Sequence, residues 1–181
     1  MRKPFLATLF AGLIATSAFA ANPMVGGKEM FPNKNIIENA VNSADHTTLV
    51  AAVKAAGLVD TLQGKGPFTV FAPTNEAFAA LPAGTVDTLL KPENKDKLTK
   101  ILTCHVVAAD AMAKDVQKMV MDDGGMHKIK TVGGCELTAS VKDGKVMITD
   151  EAGGTATVSI ADVKQSNGVI HVIDKVLLPK G

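Results

Sequence analysis

The chain is poor in the side chains from which protein interfaces usually draw their binding energy. It contains no tryptophan and no tyrosine, and its only arginine is Arg2. Hot spots of protein interfaces are enriched in these three residue types, and only arginine offers a planar fork for two hydrogen bonds to one phosphate or carboxylate. Adhesion motifs that require arginine are therefore excluded beyond Arg2. Binding would depend on aliphatic, methionine and lysine side chains or on the backbone.

Charge and aromatic content argue against nucleic acid and anionic membranes as partners. The formal net charge is +1 and becomes −1 once Arg2 and Lys3 are set aside, so no basic surface is available to attract phosphate groups. Base stacking needs exposed aromatic side chains, and those beyond residue 20 are Phe31, Phe68, Phe71 and Phe78. We therefore expect no nucleic-acid partner.

The first twenty residues have the pattern of a secretory signal peptide. Met1-Arg2-Lys3 is a short basic start, Phe5–Ala15 is apolar but too short to span a bilayer, and Ala18-Phe19-Ala20 suits signal peptidase. We expect cleavage after Ala20 and a secreted or periplasmic protein, since both destinations follow from the same signal. The alternative is an uncleaved anchor, which the polar residues directly after Ala20 disfavour. No later stretch of the sequence predicts a transmembrane span.

Two cysteines, Cys104 and Cys135, lie beyond the signal peptide. An even number of cysteines in an exported protein favours a disulfide. The alternative is a pair of buried thiols on unconnected strands, because spacing alone does not show that the two Cα atoms come close enough to bond.

Helical and strand patterns follow one another along the chain. Residues 21–34 contain two prolines and two glycines without periodicity and predict an exposed N-terminal arm. Helical patterns begin at Asn35, a predicted N-cap, with Glu38 completing a capping box. The last third has short alternating segments separated by glycine pairs and by Asp143-Gly144, a strong hairpin signal. Helices followed by a β-meander predict one α+β domain over residues 35–179.

A polar turn within "GPFTVFAPTNEAFAALP", residues 66–82, is the first candidate for a site. Pro73 ends an apolar strand, Thr74 is predicted to be the N-cap of the next helix, and Glu76 lies in its first turn, where the helix dipole favours an acid. Asn75 alone lacks a structural role in this interpretation. The turn is therefore interpreted as a joint between strand and helix, with Asn75 as the open question.

Histidines and methionines are the next candidates. His46 falls in the first turn of a helix and is expected to be exposed, whereas His105 and His171 lie in β-branched runs and are expected in the core. The alternative function is a Cu(I) site, because thioethers and an imidazole suit a soft metal in an exported protein. Its ligands would be Met119, Met121, Met126 and His127, although methionines that fill gaps in the core explain the same residues.

The sequence contains none of the catalytic motifs that were sought. There is no serine between glycines in a nucleophile elbow, no histidine pair at helical metal spacing and no glycine-rich phosphate loop. The pairs Asp122-Asp123 and Asp150-Glu151 are interpreted as solvated loop carboxylates with too few ligands for calcium. We therefore predict no enzymatic activity and no cofactor; a small hydrolase or lectin is the weakest hypothesis, because serine, tryptophan and tyrosine are scarce or absent.

Three motifs resemble fasciclin-like domains in the same order. "GPFTVFAPTNEAF" resembles the first signature of that family, and "SNGVIHVIDKVLLP", residues 166–179, resembles the second. Between them, "LTCHVV" stands where the family has a tyrosine-histidine pair. The resemblance covers residues 35–179, nearly all of the chain beyond the signal peptide.

The resemblance implies a wedge of β-sheet with several helices packed beside it, in a small exported protein. It also implies adhesion to a protein or to an envelope or matrix component rather than catalysis. Thr69, Thr74, Asn75, His105 and His171 are then residues that support the fold, with His105 bonded to one of the first three. Cys104 replaces the usual tyrosine, and a strand here would place it opposite His105, free to reach Cys135.

Overall fold

The structure is a computed structural model that describes residues 21–181. The predicted signal peptide, residues 1–20, lies outside the described residues. Short helices fill most of the first two thirds of the described chain, and strands fill most of the last third. The helices are α1 (Ile36–Ala40), α2 (Thr47–Ala56), α3 (Val59–Gln63), α4 (Asn75–Ala79), α5 (Thr85–Leu89), α6 (Lys95–Thr103) and α7 (Ala113–Asp122), with 3-10 turns at Ala44–His46 and Pro92–Asn94.

One seven-stranded sheet organises the described residues, and a two-stranded hairpin stands apart from it. The strands are β1 (Met24–Val25), β2 (Lys28–Glu29), β3 (Phe68–Pro73), β4 (Val106–Val107), β5 (Met126–Lys130), β6 (Glu136–Lys142), β7 (Lys145–Thr149), β8 (Thr155–Gln165) and β9 (Gly168–Ile173). The order in the sheet is β4-β3-β9-β8-β7-β6-β5. Only β3 and β9 pair in parallel; every other pair is antiparallel. The predicted α+β class, a sheet with helices packed beside it, is confirmed.

Capping and turn residues recognised in the sequence mark the ends of several of these helices and strands. Asn35 and Glu38 form the predicted capping box at the start of α1. Asp143 and Gly144 have φ angles of 52° and 76° between β6 and β7, as a two-residue hairpin turn of type I′ requires. These turns and caps fix where the elements begin and end, and burial of apolar faces then fixes how they pack.

Two apolar cores lie on the two faces of the sheet. The larger lies between the sheet and helices α1 to α6 and includes Val70, Leu102 and Ile170. The smaller lies between the curved strands and α7 and includes Phe71 and Val116. Alternate residues of β3 therefore contribute to different cores, as the two-residue period of a strand requires.

The N-terminal segment, predicted to be an exposed arm, is partly exposed and partly packed against the domain. β1 and β2 form a small hairpin, Met30 donates its N–H to the carbonyl of Pro23 at 2.9 Å, and Val25 and Met30 are only 4% and 2% exposed. Both side chains line a small apolar cavity, about 40 Å³ in volume, above the larger core. Half of residues 21–34 are exposed, but burial of these two apolar side chains holds the hairpin against the domain, despite its prolines and glycines.

Helical bonding continues past α6. The N–H groups of Cys104 and His105 bond to carbonyls of Ile101 and Leu102 at 3.2 and 3.0 Å. Only Val106–Val107 is a strand, so the expectation that Cys104 and His105 lie on opposite faces of a strand is wrong. Cys104 lies at the C-cap of α6 and not in a strand.

Cys104 and Cys135 form a disulfide with a Cα–Cα distance of 5.4 Å, and both residues are 1% exposed. The bond joins the end of α6 to the turn between β5 and β6. Main-chain hydrogen bonds at the same place link Val132 N–H to the Val106 carbonyl at 2.8 Å and Gly133 N–H to the Thr103 carbonyl at 3.0 Å. The two edges of the sheet are therefore connected at one point.

None of the helices within residues 21–181 has both the length and the apolar character that a membrane span requires.

Replacement of both cysteines by alanine should lower the free energy of unfolding by roughly 3–4 kcal/mol, because the unfolded chain regains the freedom that the closed loop denies it. Urea denaturation with and without reductant measures the difference. Reductant should destabilise the wild-type protein and leave the double variant unchanged. Complete thiol labelling of the native protein without reductant would contradict the bond.

Candidate functional site: the joint between the two signature strands

The two motifs singled out in the sequence lie side by side in the sheet. β3, from the first motif, pairs in parallel with β9, from the second, from Phe68 opposite Gly168 to Pro73 opposite Ile173. Phe71 lies opposite His171, and the two rings stack with centroids 5.8 Å apart. The polar residues of both motifs are thus brought to the ends and edges of one strand pair.

Thr74 caps the helix that follows β3. Its hydroxyl oxygen accepts a hydrogen bond from the N–H of Ala77 at 3.2 Å. The cap satisfies one of the donors that the first turn of a helix leaves open. The predicted role of Thr74 is confirmed.

Asn75 connects this turn to the start of α2. Its Oδ1 accepts hydrogen bonds from the N–H of Thr48 at 3.0 Å and the hydroxyl of Thr47 at 3.1 Å. Its Nδ2 donates to the carbonyl of Ala44 at 2.9 Å. The residue at the N-cap position of α2, His46, makes no side-chain cap, so Asn75 supplies from another segment the acceptor that this helix lacks.

His46 is buried, at 3% exposure, and the prediction that it is exposed is wrong. Its Nδ1 lies 2.8 Å from the hydroxyl of Ser43, and its Nε2 lies 3.4 Å from the carbonyl of Ala72 in β3. Burial lowers the pKa of His46, so the ring is neutral and can accept from Ser43 while it donates to Ala72. The short 3-10 turn before α2 directs the ring inwards, which helical spacing alone did not indicate.

His105 is fully enclosed and bonds the end of α6 to the C-terminal segment. Its Nε2 accepts the N–H of Leu177 at 2.9 Å, and its Nδ1 therefore donates to the carbonyl of Ile101 at 2.8 Å. Its side chain makes no hydrogen bond to Thr69, Thr74 or Asn75 among the described residues. The partner implied by the resemblance is thus wrong; instead, the main-chain carbonyl of His105 accepts the N–H of Phe71 at 2.9 Å.

The environment of His105 disfavours a positive charge. Burial lowers its pKa to about 4, although the Ile101 carbonyl and the charge of Asp150 act in the opposite direction. A proton on Nε2 would also face the N–H of Leu177.

Asp150 itself is 7% exposed and accepts N–H groups of Gly154 at 2.7 Å and Leu178 at 2.8 Å. Its interpretation as a solvated carboxylate is wrong, because the Gly-Gly turn folds back over it.

Thr69 and His171 hold the segment between β4 and α7. The hydroxyl of Thr69 donates to the carbonyl of Ala109 at 2.6 Å and accepts the N–H of Ala111 at 2.9 Å. Nε2 of His171 donates to the carbonyl of Ala111 at 2.8 Å, and its Nδ1 accepts the N–H of Asp162 at 3.2 Å. Burial lowers the pKa of His171, so this ring too is a neutral connector.

Asn167 and Asp162, which were not among the candidates from the sequence, also connect segments around this strand pair. Asn167, before β9, accepts the N–H of Ile36 at 3.1 Å and donates to the carbonyls of Leu62 and Gly64 at 2.7 and 2.8 Å. Its position in the second motif was the only available signal. Asp162 has a φ of 59° and accepts the N–H of Ala113 at 2.7 Å where the register of β8 shifts; nothing local in the sequence marked it.

The methionine cluster is divided by the fold. Met119 and His127 line one cleft, whereas Met121 and Met126 are 70% and 67% exposed. Nδ1 of His127 lies 2.6 Å from a carboxylate oxygen of Asp123. The four residues proposed as copper ligands are therefore not all directed to one point.

The buried histidines have no free ring nitrogen with which to act on a substrate. His46, His105 and His171 each use both nitrogens, and five of the six contacts are to main-chain groups. Residues 21–181 also contain no group of three or more His, Cys, Asp or Glu side chains placed to hold a metal ion. The arrangement serves to connect segments of the chain.

Substitution of Asn75 by alanine should lower the free energy of unfolding by about 1–2 kcal/mol, because the N–H of Thr48 and the carbonyl of Ala44 lose their partner. Asn75→Asp is the matched control. It keeps the acceptor for Thr47 and Thr48 and places a negative charge at the start of α2, but it cannot donate to the carbonyl of Ala44, so its stability should lie between those of the wild type and the alanine variant. Urea denaturation of the three proteins measures the order. Equal stability of the alanine variant and the wild type would show that the bridge is dispensable.

Acid should destabilise the protein through His105. Its pKa is about 4 in the folded state and near 6.5 in the unfolded chain, so below pH 6.5 the unfolded state binds more protons. Stability should therefore fall between pH 6.5 and pH 4, by at most roughly 1.4 kcal/mol per pH unit from this residue. His105→Gln should reduce that slope in urea denaturation relative to the wild type. Identical slopes for His105→Gln and the wild type would refute the assignment.

Comparisons with known proteins agree with this architecture. The chain is 56% identical over 144 residues to Protein sll1483 of Synechocystis, with 80% of this chain and 73% of that protein covered. It is 36% identical over 145 residues to the cell surface glycolipoprotein MPB83 of Mycobacterium bovis, with 77% of this chain and 58% of that protein covered. These relatives share most of the described domain.

A solved structure shows the same fold. The FAS1 domain pair of the insect cell adhesion molecule Fasciclin I matches with a TM-score of 0.73 at 20% identity, covering 81% of this chain and 51% of that chain. The family model of the Fasciclin domain matches residues 44–179, from the turn before α2 to the C-terminal segment that His105 contacts. The chain therefore belongs to the fasciclin domain family.

Proposed function

We propose that the chain is exported, loses residues 1–20, and acts as a non-enzymatic interaction module at the cell surface, in the matrix or in the periplasm. Its partner is a protein or a component of the cell envelope or matrix. The names of two similar proteins support this proposal, since one is a cell surface glycolipoprotein and the other a cell adhesion molecule.

One observation carries the proposal. Five polar residues of the two signature motifs are occupied in hydrogen bonds to other groups of the domain, and polar residues of this kind are what a catalytic site would need. They are Thr69, Thr74, Asn75, Asn167 and His171. Thr69 and His171 hold one loop, His105 holds the C-terminal segment, and Asn75 holds a helix start. The function is therefore assigned to the surface that this frame supports.

The exposed apolar residues indicate where that surface could lie. Large apolar side chains that are at least one third exposed are Met24, Val41, Met121, Met126, Val132 and Val141. Four of these six lie between the end of α7 and the end of β6. Aliphatic and methionine contacts are the type of contact that a chain without Trp or Tyr can offer.

Export and surface binding can be tested together. Intact mass of the protein recovered from the producing cell should match a chain that begins at Ala21. Purified protein of that length should then sediment with envelope fragments in a saturable way and be displaced by unlabelled protein. Full-length protein confined to the cytosol, or no saturable binding, would overturn the proposal.

A titration separates this proposal from the copper alternative. The reduced wild-type protein and a Met119→Ala/Met126→Ala variant are titrated with Cu(I). Equal affinities exclude a site built from the methionine cluster, and saturable envelope binding without added metal assigns the interaction to the protein surface.

A further inference from the structure

The seven-stranded sheet curves until its two edge strands approach each other. β4 forms one edge and β5 the other. The chain just past β5 meets β4 through a main-chain hydrogen bond from the N–H of Val132 to the carbonyl of Val106 at 2.8 Å. β4 ends one residue after Val106, and the sheet is left open between β5 and the segment that follows β4.

An apolar cleft about 200 Å³ in volume occupies this opening. Phe71 of β3 and Val116 and Met119 of α7 line it, while Val107 and Ile129 contribute from the two edges. Phe71 and Val116 are 1% and 2% exposed, so they belong to the smaller core. The cleft therefore gives access to that core between the two edge strands.

The outer edge of β5 presents unpaired main-chain groups to this cleft. Thr131 donates its N–H towards β6, to the carbonyl of Cys135 at 2.9 Å, whereas Val132 donates in the opposite direction, to Val106. Lys130 and Lys128 lie opposite Glu136 and Thr138, at alternate positions from Thr131. Because peptide groups alternate in direction along a strand of an antiparallel pair, their N–H and C=O groups point outwards. Among residues 21–181, neither lysine has another main-chain partner on that side.

The charged side chains of β5 differ in whether they have a partner of opposite charge. His127 is paired with Asp123 at 2.6 Å, and Lys128 is paired with Glu136 at 2.7 Å. In the described part of the chain Lys130 has no such pair, and the residues that line the cleft include Lys128 and Lys130 but no carboxylate. An added strand would place one of its side chains beside Lys130, where a carboxylate is favoured.

We propose that β5 accepts an extended segment of a partner protein as one further strand. Its inward side chains are apolar and fill the cleft, and one outward side chain is a carboxylate beside Lys130. Addition of a strand to an exposed sheet edge takes its affinity from main-chain hydrogen bonds and its specificity from alternate side chains. This inference rests on the proposed function and names the surface that carries it.

A second copy of the chain fits this edge less well. If two β5 edges paired, Lys128 and Lys130 of one copy would lie against the same lysines of the other. Like charges directly opposite each other destabilise a strand pair, and lysine on an edge strand is a common device against self-association. The charge pattern therefore selects an acidic partner over self-pairing.

The test uses a capped peptide of alternating valine and polar residues with one central glutamate. It should bind the mature protein saturably in fluorescence polarisation. A version with lysine in place of glutamate should bind about threefold more weakly, and a version with methylated backbone nitrogens at least about tenfold more weakly.

Two substitutions of Lys130 distinguish the contribution of its charge to peptide binding from that of its main-chain N–H. Lys130→Pro removes one outward N–H at an edge position where proline is tolerated, and should weaken peptide binding by about tenfold. Lys130→Gln should weaken it by about threefold, and Lys145→Gln, remote in β7, should have no effect. Thermal melting of each variant verifies that the fold is retained.

The outcomes distinguish this inference from the proposed function. Peptide binding that Lys130→Pro does not weaken, or no peptide binding at all, overturns the edge site. Sedimentation of a dimer that Lys130→Pro abolishes would assign the edge to a second copy and overturn it as well. Saturable envelope binding that persists in Lys130→Pro leaves the proposed function intact without the edge site. Peptide binding without envelope binding supports the edge site and contradicts the proposed function.

Discussion

The parallel pairing of β3 with β9 is the contact on which the rest of the fold depends. Paired residues of the two strands lie 100 positions apart in sequence, from Phe68 opposite Gly168 onwards, yet six consecutive residues of each are in register. The backbones approach so closely at Gly168 that a Cβ there would collide with the carbonyl of Phe68. β4 joins the outer side of β3, and β8 with the meander joins the outer side of β9, so both halves of the sheet are positioned by this pair.

Neutral histidines connect distant segments around this pair. A neutral imidazole offers one donor and one acceptor, which suits places where a main-chain carbonyl and an N–H end up near each other without a strand or helix to pair them. His105 bonds to a residue 72 positions away, and His171 to one 60 positions away. Burial lowers the pKa of all three rings, those of His46, His105 and His171, and a charged ring would also lose its acceptor.

Much of the local structure could be predicted from sequence, because the relevant signals lie within a few residues. The capping box at Asn35, the cap at Thr74 and the turn at Asp143-Gly144 each depend on neighbours three positions away or fewer. The resemblance of three motifs to fasciclin-like domains predicted the sheet with its helices, although not the parallel register of β3 and β9.

The partners of the candidate site could not be predicted in this way. Asn75 caps a helix that precedes it by almost thirty residues, and His105 bonds to a segment that no local pattern connects to it. The burial of His46 and of the N-terminal hairpin depends on which surfaces the rest of the domain leaves open. Such contacts follow from tertiary packing, which overrides local preference wherever an apolar side chain can be buried.

The disulfide holds the two walls of the cleft together at one end. Both walls of the cleft, the segment after β4 and strand β5, belong to residues 104–135, which the bond closes into a covalent ring. The disulfide and the Val132–Val106 hydrogen bond hold the two walls together at that end, whereas among residues 21–181 no main-chain hydrogen bond joins β5 to the segment after β4. In a reducing compartment the same walls would be joined there by hydrogen bonds alone.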